Sequence, residues 1–220
     1  MPVALWSSAY DARQFDAACF GAAGIDCPAS IARAVAQRQA EFFHGRLCAR
    51  AALGEWGVHG WQIGIGASRE PIWPAGVIGS ITHSRTLAAA AVLPSARGRG
   101  IGIDLEECAD NDTGALEAIA HTVLLPSELA YLRSQRGSLS EAHLFKLAFS
   151  AKESFYKAVF GVVGRFIDFS AIAIDAIDED QGRIGYTVRE PLCEAWQPGV
   201  RGDARFALIG QTHVLTGVLW

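Results

Sequence analysis

The chain has 220 residues, half of them hydrophobic, and a formal net charge of -4 at pH 7. That length buries a substantial core as one large domain or two smaller ones, and the slightly acidic balance excludes a general affinity for nucleic acid while leaving room for a local basic cleft that takes a phosphorylated small molecule. Five cysteines (Cys19, Cys27, Cys48, Cys108, Cys193) form no C-x-x-C pair and are odd in number, which speaks against a disulfide framework and against zinc and for reduced thiols.

The opening "MPVALWSSAYDAR" lacks a basic stretch followed by a long apolar one. The longest small-apolar run, "TLAAAAVL", falls far short of the roughly 20 residues that cross a bilayer. A cytoplasmic protein with no membrane partner is expected. From Ser30 to Leu53, "SIARAVAQRQAEFFHGRLCARAAL" is rich in Ala, Arg, Gln and Leu without Pro, which predicts one long helix closed by Gly54. Arg46 and Arg50, four apart, share a face of it. "GASREPIWPAG", Gly66 to Gly76, is loop by its Gly and Pro content. Two short strands follow, "VIGSI" and "LAAAAVL", joined through "THSRT".

"GRGIGIDLEE", Gly98 to Glu107, predicts a further strand. Ile101, Ile103 and Leu105 alternate with Gly102, Asp104 and Glu106, so a period of two sets the aliphatic side chains on one face and both carboxylates on the other. Two partly buried anions side by side hold a shared proton or need a cation. "TGALEAIAHTVL" and "PSELAYLRSQ" read as short helices, and a longer helix runs from Ser140 to Phe160, ending at Gly161. "SAIAIDAI", "RIGYTVRE", "RFALIG" and "HVLTGVLW" then have the β-branched content and turn spacing of an antiparallel sheet. Helices then strands, twice over, predict an α+β protein of two similar α/β halves in a pseudo-twofold arrangement, with the boundary near residue 98.

In "LFKLAFSAKESFYKAVFG", Leu144, Leu147, Ala151, Phe155 and Val159 make a buried stripe, and Lys146, Ser150, Glu153 and Lys157 a polar one. Taken alone, Glu153 and Lys157 are equally well an i,i+4 pair on a wet surface, and the strand acids an ordinary solvated strand end. Taken together, three carboxylates and nearby lysines suit Mg²⁺ and phosphoryl chemistry. Mg²⁺ prefers one or two protein carboxylates plus water and substrate phosphate oxygens, and lysines neutralise the phosphate charge that it does not reach.

"GIGIDLEE", followed by "FSAKESFYKA" and preceded by "PIWPAGVIGSITHS", resembles the 4'-phosphopantetheinyl transferases, specifically the two-lobed, monomeric type associated with siderophore and other secondary-metabolite synthesis. The resemblance implies Mg²⁺-dependent transfer of phosphopantetheine from coenzyme A to a serine of an acyl or peptidyl carrier protein, with release of adenosine 3',5'-bisphosphate. It implies that Asp104, Glu106 and Glu153 hold the metal, and that Glu153, or alternatively Glu106, takes the proton of the attacking serine. Lys157 and Lys152 then match lysines near the pyrophosphate. His83, with Ser80 and Thr82 in the same turn, matches a coenzyme A phosphate contact, and Arg46, Arg50 and Arg69 sit where basic residues hold the nucleotide phosphates. Residues 1–98 are thus expected to bind the nucleotide, and residues 99–220 to carry the metal site and to dock the carrier. Trp73 either packs or walls the nucleotide pocket, and Glu107 carries no role. Leu124, Leu125 and Arg133 are the expected carrier-docking residues. Two rivals use the same residues differently: a metal-dependent phosphohydrolase would need no carrier, and a non-catalytic carrier-binding module would need none of the three acids.

Overall fold

The computed structural model describes residues 3–108, 120–210 and 212–220. The chain divides into two compact units, Met1–Ile101 together with Trp220, and Gly102–Leu219.

The first unit is built on a three-stranded antiparallel sheet. Its strands are β1 (Ala4–Ala9), β4 (Val77–His83) and β5 (Leu87–Pro94), in the order β1-β5-β4. β1, at the sheet's edge, is an element the sequence patterning does not announce. The central strand is nearly all alanine, a poor strand former, yet Ala88 to Leu93 are buried on both faces; small side chains under close cover outweigh propensity here. One face, carrying Ala88, Ala90 and Val92, packs on Cys48, Ala49, Ala52 and Leu53 of helix α3 (Ala36–Gly54). At Gly45 an added Cβ would come within 2.9 Å of Ile81 Cγ2, so a glycine lets this helix close on the sheet.

Before α3 come α1 (Ala18–Ala23) and α2 (Ala29–Ala32). The expected single helix from Ser30 to Leu53 is therefore broken. Its chain leaves helical geometry at Val35 (ψ 154°), and the Gln39 side-chain amide donates to the Ala32 and Ala34 carbonyls that the break leaves open. The expected loop after Gly66 holds a small hairpin, β2 (Gly64–Ile65) with β3 (Pro71–Ile72), and turns through Arg69 in the left-handed region at φ 68°.

The second unit carries a five-stranded sheet in the order β6-β10-β9-β8-β7. Its strands are β6 (Ile101–Glu107), β7 (Ile172–Asp178), β8 (Arg183–Val188), β9 (Arg201–Ile209) and β10 (His213–Leu219). The last four pair antiparallel in sequence order, as their patterning predicts. The sheets of the two units thus differ in strand number. Helices α4 (Pro126–Ser134) and α5 (Glu141–Val163) complete the unit. Ser140 caps α5 by accepting from the His143 N–H, and the helix runs through Gly161 to a left-handed Gly164, one turn further than the sequence suggests. Most of the helix expected in "TGALEAIAHTVL" lies outside the described residues; residues 120–123 are helical.

Candidate active site

β6 is buried from Ile101 to Leu105, aliphatic and acidic positions alike. The reason is α5, which lies directly on the strand. At Gly102 an added Cβ would sit 1.9 Å from the Ser154 carbonyl oxygen and 2.6 Å from the Ala158 nitrogen, both backbone atoms that cannot swing away. Only glycine permits this approach, and it brings the polar stripe of α5 over the strand's acids.

Two lysines of that stripe answer the strand. Lys157 Nζ lies 2.6 Å from Asp104 Oδ1 and donates to the Ile103 carbonyl, while Lys146 Nζ lies 2.8 Å from Glu106 Oε2. Glu153 sits between them on the helix, one turn before Lys157. Burial pushes its carboxyl above the ordinary glutamate range; the charge of Lys157 opposes that, and Asp104 and Glu106 add to it. Burial likewise raises Glu106, against its hydrogen bond from Lys146, with Asp104 contributing. Glu153, Asp104 and Glu106 therefore share one electrostatic neighbourhood although strand and helix are far apart in sequence. The solvated reading of the strand end fails at Asp104, which is only 5% exposed, and Lys157 pairs across to that strand acid.

Among the described residues, no three His, Cys, Asp or Glu side chains stand as a ready-made ligand set. Lys146 and Lys157 each hold an oxygen of a strand acid instead. The donor chemistry nevertheless fits Mg²⁺, which takes hard carboxylate oxygens such as these on two rigid elements. A narrow cavity of about 80 Å³ opens beside Glu153, lined also by Lys152, Tyr156, Phe166 and Asp168.

Lys152 is the clearest departure from expectation. It is 2% exposed and turned into the core, where its ammonium pairs with the equally buried Glu128 at 2.8 Å and donates to the carbonyls of Val123, Phe169 and Ile172. Glu128 in turn accepts from the Leu125 and Ile174 N–H groups. A lysine so fully engaged holds the fold together and does not reach pyrophosphate. Leu124 is buried as well and presents nothing to a docking partner, while Arg133 pairs with Glu141 on the surface.

In the first unit, Arg46 donates to the Ile63 and Gly64 carbonyls and stacks on Phe42, and burial lowers its pKa to about 10. Arg50 donates to the Ala23 carbonyl, and the two guanidinium groups border one small pocket with Asp26 and Gln62. Arg69 stands exposed at the hairpin turn. His83 ends β4 and is held by two residues the sequence reading passed over: Arg38 Nη1 lies 2.8 Å from its Nε2, and Glu41 Oε2 lies 3.7 Å from its Nδ1. The signal for Arg38 was its place two helical turns before Arg46, on the same side of α3. Ser80 and Thr82 lie in β4 and not in a turn; both are buried, and strand alternation puts them on the opposite face from Ile81 and His83. Trp73 covers Gly79, where an added Cβ would meet its ring at 2.6 Å.

The same two segments that carry these residues are the ones that known families match. Residues 27–93 match the model of the 4'-phosphopantetheinyl transferase N-terminal domain, and residues 100–209 that of the 4'-phosphopantetheinyl transferase superfamily. Among similar proteins, 4'-phosphopantetheinyl transferase Npt of Nocardia iowensis is 40% identical over 150 residues, covering 68% of this chain and 64% of the relative. Svp of Streptomyces mobaraensis is 38% identical over 154 residues (70% and 61%), and PptT of Mycobacterium tuberculosis 36% over 164 residues (74% and 70%). The chain thus spans somewhat less than two thirds of the length of Npt and Svp. With family models matching both segments and a relative 36% identical over 70% of its length, the chain belongs to the 4'-phosphopantetheinyl transferase superfamily.

Proposed function

We propose that the protein transfers the 4'-phosphopantetheine arm of coenzyme A to a serine hydroxyl of an acyl or peptidyl carrier protein, releasing adenosine 3',5'-bisphosphate. The observation that carries this reading is the meeting of Asp104 and Glu106 from β6 with Glu153 and Lys157 from α5 in one buried neighbourhood. Asp104, Glu106 and Glu153 would hold Mg²⁺, which when bound neutralises charge on the pyrophosphate oxygens. Lys157 and Lys146 exchange carboxylate for phosphate oxygens as the substrate arrives and stabilise the charge that builds on the departing nucleotide. Glu153 takes the serine proton as the serine oxygen bonds to the β-phosphorus and the bond to the bridging oxygen breaks. Arg46, Arg50, Arg69 and His83, with Arg38 beside it, hold the nucleotide phosphates. The N-terminal half, residues 1–98, then serves the nucleotide and residues 99–220 the metal and the carrier, in a cytoplasmic monomer.

Mass spectrometry of an apo carrier incubated with the protein, coenzyme A and Mg²⁺ tests this. A gain of about 340 Da on the carrier serine is expected, and none with Glu153→Gln. Hydrolysis of coenzyme A without any carrier would favour a phosphohydrolase, and undiminished transfer by Glu153→Gln would remove that residue from its role.

A further inference from the structure

Behind the acids, α5 is joined to the sheet by hydroxyl groups that no charge pattern reveals. Ser150 and Ser154, on consecutive turns of α5, both meet Thr216 of β10, at 2.8 and 2.7 Å between side-chain oxygens. Ser150 Oγ also donates to the Asp104 carbonyl at 3.2 Å. All three hydroxyls are sealed from solvent: Ser150 and Ser154 are 0% exposed and Thr216 1%.

Each hydroxyl owns one proton, and that count orders the chain. The Ser150 proton goes to the Asp104 carbonyl, so its oxygen accepts from Thr216. The Thr216 proton is then committed, so its oxygen accepts from Ser154. The direction is Ser154 to Thr216 to Ser150 to Asp104, a run of aligned dipoles in a dry interior in which each bond strengthens the next. It ends on the backbone of the residue whose carboxylate pairs with Lys157, and it begins one residue from Glu153. Gly102 sets how close helix and strand stand, while the packing of Ala151, Phe155 and Val159 is apolar and carries no directional bond. A directional bond is what resists a slide along the strand.

We propose that Thr216 is a positioning residue for the transfer reaction: its hydroxyl ties α5 to β10, the neighbour of β6, and orients the Ser150 bond to the Asp104 carbonyl, and so helps set the Asp104 carboxylate against Glu153. The inference rests on the transferase reading above. A misplacement of about 1 Å at such a constellation costs up to a hundredfold in rate.

Three variants of the full chain test it, each measured for carrier modification, for Mn²⁺ binding without coenzyme A by electron paramagnetic resonance, and for thermal unfolding. Thr216→Val keeps the shape and removes the hydroxyl; a fall of about tenfold in kcat and a weakening of Mn²⁺ binding are expected, with the carrier KM unchanged. Thr216→Ser restores the hydroxyl and should restore both. Ser150→Ala, which cuts the link to Asp104, should reproduce the Mn²⁺ loss, and it serves in place of Thr216→Val if that variant does not fold. Native kcat and Mn²⁺ affinity in Thr216→Val or Ser150→Ala overturn the proposal, even if melting drops, because that is the mark of a merely structural contact. Absence of transfer by the unaltered chain would instead bring down the transferase reading, and with it this role.

Discussion

Lys152 and Glu153 are neighbours in sequence with opposite fates. One turns into the core to a buried carboxylate, and the other shares the electrostatic neighbourhood of the strand acids. The buried pair is a physical commitment: removing one partner leaves a charge with no water and no counterion. Lys152→Met should therefore cost about 3 to 5 kcal/mol in urea unfolding, and adding Glu128→Leu should recover only part of it, because the Leu125 and Ile174 N–H groups then lose their acceptor. A single variant as stable as the parent would show that Glu128 finds another partner. Neighbouring residues four apart were legible as a polar stripe, but the sequence does not say which lysine of the stripe region is wet. Glu128, which decides the matter, lies in another helix.

At the scale of elements, the site exists because α5 touches β6 at a glycine. Gly102→Ala places a methyl group against backbone atoms of Ser154 and Ala158, so α5 must lift or tilt. We expect a stability loss of about 1 to 3 kcal/mol from the overpacking, together with weaker pairing of Lys157 to Asp104, read as a lower melting temperature and a fall in transfer. Unchanged melting would mean that the helix has more freedom than this contact allows. The strand itself, the long helix and the four final strands were all visible in periodicity, because each is a local property of side chains repeating every two or three to four residues. Helix ends were less so. The break before Val35 depends on Gln39 reaching back to carbonyls, and the passage through Gly161 depends on packing that a glycine alone does not announce.

For the molecule as a whole, a net charge of -4 means that any affinity for a phosphorylated nucleotide must come from local groups. Arg69 is the most separable of them, exposed at a positive φ that glycine adopts without strain. Arg69→Gly should raise the KM for coenzyme A about tenfold, as loss of a charged hydrogen bond does, while kcat and Mn²⁺ binding by the coenzyme-free protein stay as they are. An unchanged KM would take Arg69 out of the nucleotide contacts.

Class of fold, the acid-bearing strand, the long helix after it and the four final strands were legible in the sequence alone, since hydrophobic period, turn residues and charge are written along the chain. Which polar groups face one another was decided only by tertiary structure. Lys152 with Glu128, Lys146 with Glu106, Arg38 and Glu41 with His83, and Thr216 with two serines are meetings between distant segments. In a buried place a charge or hydroxyl takes whatever partner packing sets before it, because going without costs more than any local preference supplies.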